Sequence, residues 1–179
     1  MSMIRPIFTL HAGEYLVGNY IYENLSDEFD VWVPGKDNAG IDLLLTPKHR
    51  GLKSIGLQVK FSRDFENPKL IAGSWFALNP EKIKESSADY WVFVIHALKG
   101  NIQFIIVPTN ELIRRIPVVI RNKKWNLYLN VCDERTCRDE RNRKKPIDYS
   151  MFLNNWKALS HFLRSTAGDR TIRAARAVR

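Results

Sequence analysis

Gly40-Ile41-Asp42-Leu43-Leu44-Leu45 and Ile55-Gly56-Leu57-Gln58-Val59-Lys60-Phe61 are two strand-like runs whose reading decides the fold. Pro47-Lys48-His49-Arg50-Gly51 lies between them and is rich in turn residues, so the spacing predicts a hairpin. In the second run Ile55, Leu57, Val59 and Phe61 alternate with Gly56, Gln58 and Lys60. Side chains on a strand point alternately to opposite faces, so Gln58 and Lys60 project together, about 7 Å apart at roughly 3.3 Å per residue. Aspartate is depleted in strands, yet Asp42 directly precedes Leu43-Leu44-Leu45. Hairpin pairing sets its carboxylate against the Gln58 amide across a gap that suits a hard divalent cation. Each residue also has a plainer reading. Any half-buried strand has a polar face, and an aspartate after a glycine can simply end a turn.

Working outward, residues 8–24 carry Leu10, Glu14, Val17 and Ile21 at spacings of four, three and four, which predicts an amphipathic helix. Glu14 falls in the middle of its apolar stripe. A carboxylate buried there is costly unless a lysine, an arginine or a metal lies nearby, whereas a shifted helix phase would leave it on the surface. Asp30 to Val33 reads as a short strand, followed by a loop to Gly40. Downstream come a strand at Ser74–Leu78, a short helix after Asn79-Pro80, and strands over Tyr90–Leu98 and Ile102–Val107. A brief helix over Glu111–Arg115 is expected with Thr109 as its cap, then a strand over Lys124–Val131. A basic loop leads to an amphipathic helix from about Ser150 to Arg164, with Met151, Phe152, Trp156, Leu159 and Leu163 toward the core. Trp75, Trp91, Trp125 and Trp156 are expected in the core, and Trp32 near the loop before Asp42. This pattern predicts an α/β fold with a central mixed sheet flanked by helices.

The 179-residue chain fits one domain over residues 1–166, followed by a basic tail over 167–179 that is expected to be flexible. Hydrophobic residues make up 45% of the chain, which excludes wholesale disorder. No apolar run approaches a membrane span and no signal peptide is visible, so a cytoplasmic protein is expected. Cys132 and Cys137 are too few for a disulfide framework, and no histidine stands at zinc-finger spacing. The net charge of +9 is uneven. Residues 135–145 hold six basic side chains, among them Arg141, Arg143, Lys144 and Lys145, against two acidic ones, and the chain from Arg164 holds five against one. Such patches attract a polyanion, although solvated basic loops are also common without a partner.

Taken together, Glu14, Asp42 and Gln58-Val59-Lys60 resemble the PD-(D/E)xK nuclease superfamily, the restriction-endonuclease-like fold, in its Mrr-like and Holliday-junction-resolvase-like branches. Ala12-Gly13-Glu14-Tyr15 is similar to the helical acidic motif, Gly40-Ile41-Asp42 to the motif that opens the second core strand, and Gln58-Val59-Lys60 to a Gln-x-Lys form of the third. No proline precedes Asp42, and Gln58 replaces the usual acid with a neutral amide that binds Mg²⁺ less strongly. The resemblance spans roughly residues 10–62. It implies a hydrolase that cuts DNA, an endonuclease of restriction, defence or repair type, with a non-catalytic DNA-binding protein as the alternative. It also implies Mg²⁺ or Mn²⁺ held by Glu14, Asp42, Gln58 and the Val59 carbonyl. Lys60 would act on the attacking water, with Ser62 on the same face as a supporting donor. Lys48, His49, Arg50 and Lys53 on the hairpin would bind phosphates, joined by the basic loop at Arg141, Arg143, Lys144 and Lys145. A homodimer, frequent in that superfamily, would allow both strands to be cut.

Overall fold

A nine-residue strand, Ile55–Arg63 (β3), is the axis on which the molecule is built. The computed structural model describes residues 11–34, 40–49, 53–65, 67–97, 102–117, 124–142 and 144–162. Before β3 come a helix, Ala12–Leu25 (α1), and the strands Phe29–Trp32 (β1) and Leu43–Pro47 (β2). After it come Ala72–Leu78 (β4), the short helix Pro80–Glu85 (α2), Tyr90–His96 (β5), Ile102–Pro108 (β6) and the helix Thr109–Arg114 (α3). The strands Trp125–Asp133 (β7), Thr136–Asp139 (β8) and Ile147–Asp148 (β9) follow, then a 3₁₀ turn at Ser150–Phe152 and helical residues 157–162. The class is α/β.

Two sheets form. The first has the order β1-β2-β3-β5-β6, antiparallel except where β5 runs parallel to β3, which requires the crossover through β4 and α2. The second, β4-β7-β8-β9, is antiparallel throughout. β5 is buried on both faces, which is why Tyr90 to Ile95 reads as an unbroken apolar run. Tyr90, Val92 and Val94 pack with Val17, Ile21, Leu43, Leu57 and Trp156, forming the core between the first sheet, α1 and the C-terminal helical residues. Trp91, Phe93 and Ile95 pack with Phe76, Leu78, Ile83, Leu127 and Leu129, the core between the two sheets and α2. Each fully buried aliphatic side chain in these cores contributes about 1.5–3 kcal/mol relative to exposure.

The described part of the first helix begins at Ala12, and its buried positions Glu14, Val17 and Ile21 fall on the expected stripe. Several other expectations change. The basic loop is in part a strand, β8, turned back onto β7 through Val131↔Cys137 and Leu129↔Asp139. The helix expected from Ser150 is interrupted. Asn154 adopts φ +48°, its amide donates to the Phe104 carbonyl at 2.6 Å, and its side chain accepts from the Phe104 amide at 2.9 Å. Two hydrogen bonds to a distant strand outweigh one helical turn, so Met151 is exposed while Phe152, Trp156 and Leu159 are buried. Leu163 lies outside the described residues. Thr109 does not cap α3. Its hydroxyl donates to the Ala88 carbonyl, and the capping position falls on Pro108. Trp75, expected in the core, is 52% exposed on the outer face of the second sheet. Among the described residues no helix is long and apolar enough to cross a membrane.

Candidate active site

The site arises because β2 stops while β3 continues. Their register is Leu43↔Leu57, Leu44↔Gly56 and Leu45↔Ile55, and the Asp42 amide donates to the Leu57 carbonyl at 2.8 Å. Beyond Leu57 the opposite edge of β3 stays paired with β5 as far as Arg63↔His96, but among the described residues no strand covers the β2 edge. Residues 57 and 59 point their N–H and C=O groups to that edge, two apart as the ladder requires. Asp42 stands in for the missing strand: its Oδ2 accepts the Val59 N–H at 2.6 Å, and it also accepts from Gln58 Nε2. The Val59 carbonyl shares that open edge.

Helix α1 supplies the next carboxylate. A Cβ on Gly13 would lie 2.7 Å from Phe61 Cβ, so only glycine lets the helix approach β3 this closely. Glu14 follows it and is 8% exposed. Its Oε2 accepts the His11 backbone N–H at 3.1 Å, half of a capping box. The partner of this buried carboxylate is thus a backbone donor. Among the described residues no lysine or arginine pairs with it.

Glu14, Asp42, Gln58, Val59 and Lys60 all border one cleft of about 890 Å³. The Lys60 ammonium sits 5.6 Å from the centroid of the Trp91 ring, and no carboxylate of the described residues pairs with it. Gly40 closes the cleft beside Gln58 with φ +72°, where a Cβ would stand 3.0 Å from Gln58 Oε1. Two further groups join the lining: Lys82, unread in the sequence, and Trp91, expected in the core and 4% exposed there. Lys82 comes from α2, whose start is fixed by Asn79 Oδ1 accepting from the Glu81 and Lys82 amides, and Trp91 comes from β5 opposite Gln58. The Asn79-Pro80 helix start was legible. Its return beside β3 was not, because that depends on the parallel β3–β5 pairing.

The donors fit a hard cation in kind, being two carboxylates, an amide and a backbone carbonyl. They are thin in charge, since no three His, Cys, Asp or Glu side chains cluster as a metal centre among the described residues. Neither cysteine is among the residues that line the cleft. Burial pushes the Cys137 thiol up to about 12 and raises that of Cys132 as well.

The other sequence-selected residues lie elsewhere. Lys48 pairs with Asp30 at 3.7 Å, and six residues along the strand from Asp42 place it roughly 20 Å away. Exposed His49 shares that turn. Lys53 pairs with Asp89 at 3.1 Å and sits 5.7 Å from the Phe162 ring centroid. Ser62 accepts from Ser74 Oγ at 2.5 Å, linking β3 to β4 outside the cleft. Arg141 holds the buried Asp139, with a guanidinium-to-carboxylate distance of 2.9 Å. Lys145 and Arg141 border a separate cavity of about 260 Å³, and exposed Lys144 is beside them in the β8–β9 connection. Arg50, Arg143 and the tail fall outside the described residues. Trp32 donates to Thr46 Oγ1 at 2.7 Å on the first sheet's edge and does not line the cleft. No family model matches the chain, and comparison with curated proteins and with solved structures gives no match either.

Proposed function

We propose that this chain is a divalent-metal-dependent nuclease that hydrolyses phosphodiester bonds in DNA. One observation carries the reading: Glu14, Asp42, Gln58 and Lys60, up to 46 positions apart in the chain, line a single cleft at the open edge of β3. The order helix, three antiparallel strands, a crossover and then a strand parallel to the third supports the PD-(D/E)xK resemblance independently of those residues.

When bound to Glu14, Asp42, the Gln58 amide oxygen and the Val59 carbonyl, Mg²⁺ or Mn²⁺ would polarise the scissile phosphate and acidify a water. Gln58 must first turn its amide so that Oε1 replaces Nε2 beside Asp42, and the bare Cα of Gly40, which now faces Oε1, leaves room for the turned amide. Lys60, held over Trp91, orients the attacking water and offsets charge that develops on the phosphoryl oxygens. Lys82 places a second positive charge in the lining, where it would meet the substrate's phosphates. The test is cleavage of supercoiled plasmid and labelled single strands in Mg²⁺, Mn²⁺ or EDTA, beside Lys60→Ala. Metal-dependent nicking that the substitution abolishes is expected; metal-independent nicking, or nicking unchanged in Lys60→Ala, overturns the assignment.

The Gln58–Asp42 hydrogen bond favours a second reading. It satisfies the carboxylate without any cation, as a DNA-binding protein with a decayed nuclease site would. That reading expects wild type and Lys60→Ala to retard DNA alike and neither to cut it.

A further inference from the structure

We infer that the outer face of the four-stranded sheet is a base-stacking platform for an unpaired DNA strand running out of the cleft; what fills the cleft rests on the nuclease reading. Antiparallel sheets with one solvated face ordinarily place polar residues there. This face carries Asn126, Asn130 and Arg138 but adds aromatics. Trp75 of β4 and Tyr128 of β7 are register partners, 52% and 37% exposed. Phe65 is a third, 45% exposed. A Cβ on Gly73, two residues before Trp75 on the same face, would lie 2.6 Å from Phe65 Cζ, so the bare glycine makes space for that ring against the strand. The Phe65 amide donates to the Gly73 carbonyl at 3.0 Å, and Asp64 accepts from the Gly73 amide at 2.9 Å, fixing the segment in place.

Position and charge select the occupant. Ala77, two residues past Trp75 on the same face and roughly 7 Å along the strand, lines the cleft, so platform and cleft are one continuous surface. Lys124 precedes Trp125, the partner of Leu78, at the cleft end of the sheet. Arg138, exposed and in register with Asn130 on one side and with Asp148 on the other, stands at the far end, and neither it nor Lys124 lies within ion-pair distance of a described carboxylate. The acidic Glu140 nearby is engaged by Asn130 Nδ2 at 3.0 Å. Flat apolar rings between cations match exposed bases and their phosphates, whereas a duplex keeps its bases stacked inside.

The test is fluorescence anisotropy in EDTA, where nothing is cut, with one labelled oligonucleotide offered as single strand and as duplex. Wild type is expected to prefer the single strand. Trp75→Ala with Tyr128→Ala should weaken that binding at least about tenfold, leave duplex binding and plasmid nicking unchanged, and be largely restored by Trp75→Phe with Tyr128→Phe. Unchanged single-strand affinity in the alanine variant, with a native circular dichroism spectrum, overturns the platform. So does sedimentation showing that the alanine pair turns a dimer into a monomer without touching DNA affinity, which makes the face a self-association surface. Loss of single-strand binding from a protein that never nicks DNA would sink the nuclease reading and leave the platform standing.

Discussion

Asp139 in the second sheet and Glu14 in the cleft are buried and Asp42 is half-buried, and the chain treats the two regions in opposite ways. Asp139, 2% exposed, receives Arg141 through Nε at 3.2 and 3.0 Å and through its terminal nitrogen at 2.9 Å, with the guanidinium 5.7 Å from the Trp125 ring centroid. The pair is complete in itself. Among the described residues, Glu14 and Asp42 have only N–H donors, from His11, Val59 and Gln58, and no cation pairs with either. A buried charge that lacks a counter-charge is expensive, so a fold that tolerates it either gains something by ordering or takes a cation from outside. The first region carries its own counter-charge; among the described residues the second does not.

The sharpest way to break this contrast is Asp42→Asn, which keeps an oxygen for the Val59 N–H but removes the charge. Metal-dependent cleavage should fall roughly a thousandfold, with the melting temperature little changed. Retained cleavage would make Asp42 a turn residue no different in kind from Asp139. The counterpart is Arg141→Ala, which strands Asp139 uncompensated. Because the arginine is partly solvated, the expected loss is about 2–3 kcal/mol in urea denaturation, with cleavage per folded molecule unchanged. Adding Asp139→Leu should recover most of that loss, since apolar replacement of a whole buried pair is often neutral. Gly13→Ala comes next. Pushing α1 off Phe61 should cost about 1–2 kcal/mol and misplace Glu14, so stability and cleavage fall together, unlike in either variant above.

Much of this contrast was legible in the sequence, because it depends on short-range periodicity. The helical stripe through Glu14, the β2–β3 hairpin and the same-face spacing of Gln58 and Lys60 all follow from residues within a few positions of one another. Long-range pairing was not legible. Arg141 reads as one more charge in a basic run until β8 folds onto β7 and sets Asp139 beneath it. Trp75 looks like core because apolar alternation does not say which face of β4 meets the other sheet. Asn154 breaks a plausible helix through hydrogen bonds to a strand fifty residues away. Lys82 reached the cleft only through the crossover. The hairpin cations Lys48 and Lys53 lie near Asp42 in sequence, yet the extended geometry of β2 carries Lys48 to its far end.

The finest test of the contrast gives the cleft the acid it lacks. In Gln58→Glu the amide that donates to Asp42 is replaced by a third carboxylate, so the cleft loses a hydrogen bond and gains like-charge repulsion. In EDTA at neutral pH the variant should be less stable than wild type by about 1 kcal/mol. Mg²⁺ should reverse the order. A cation that binds only the folded state stabilises by RT ln(1 + [L]/Kd), and the extra carboxylate lowers Kd, so the thermal shift on adding Mg²⁺ should be larger in the variant. The sign change between the two buffers is the diagnostic, because a change in packing alone would move stability equally in both. If Gln58→Glu is as stable as wild type in EDTA and indifferent to Mg²⁺, Glu14 and Asp42 are already neutralised as Asp139 is, and the cleft is structural after all.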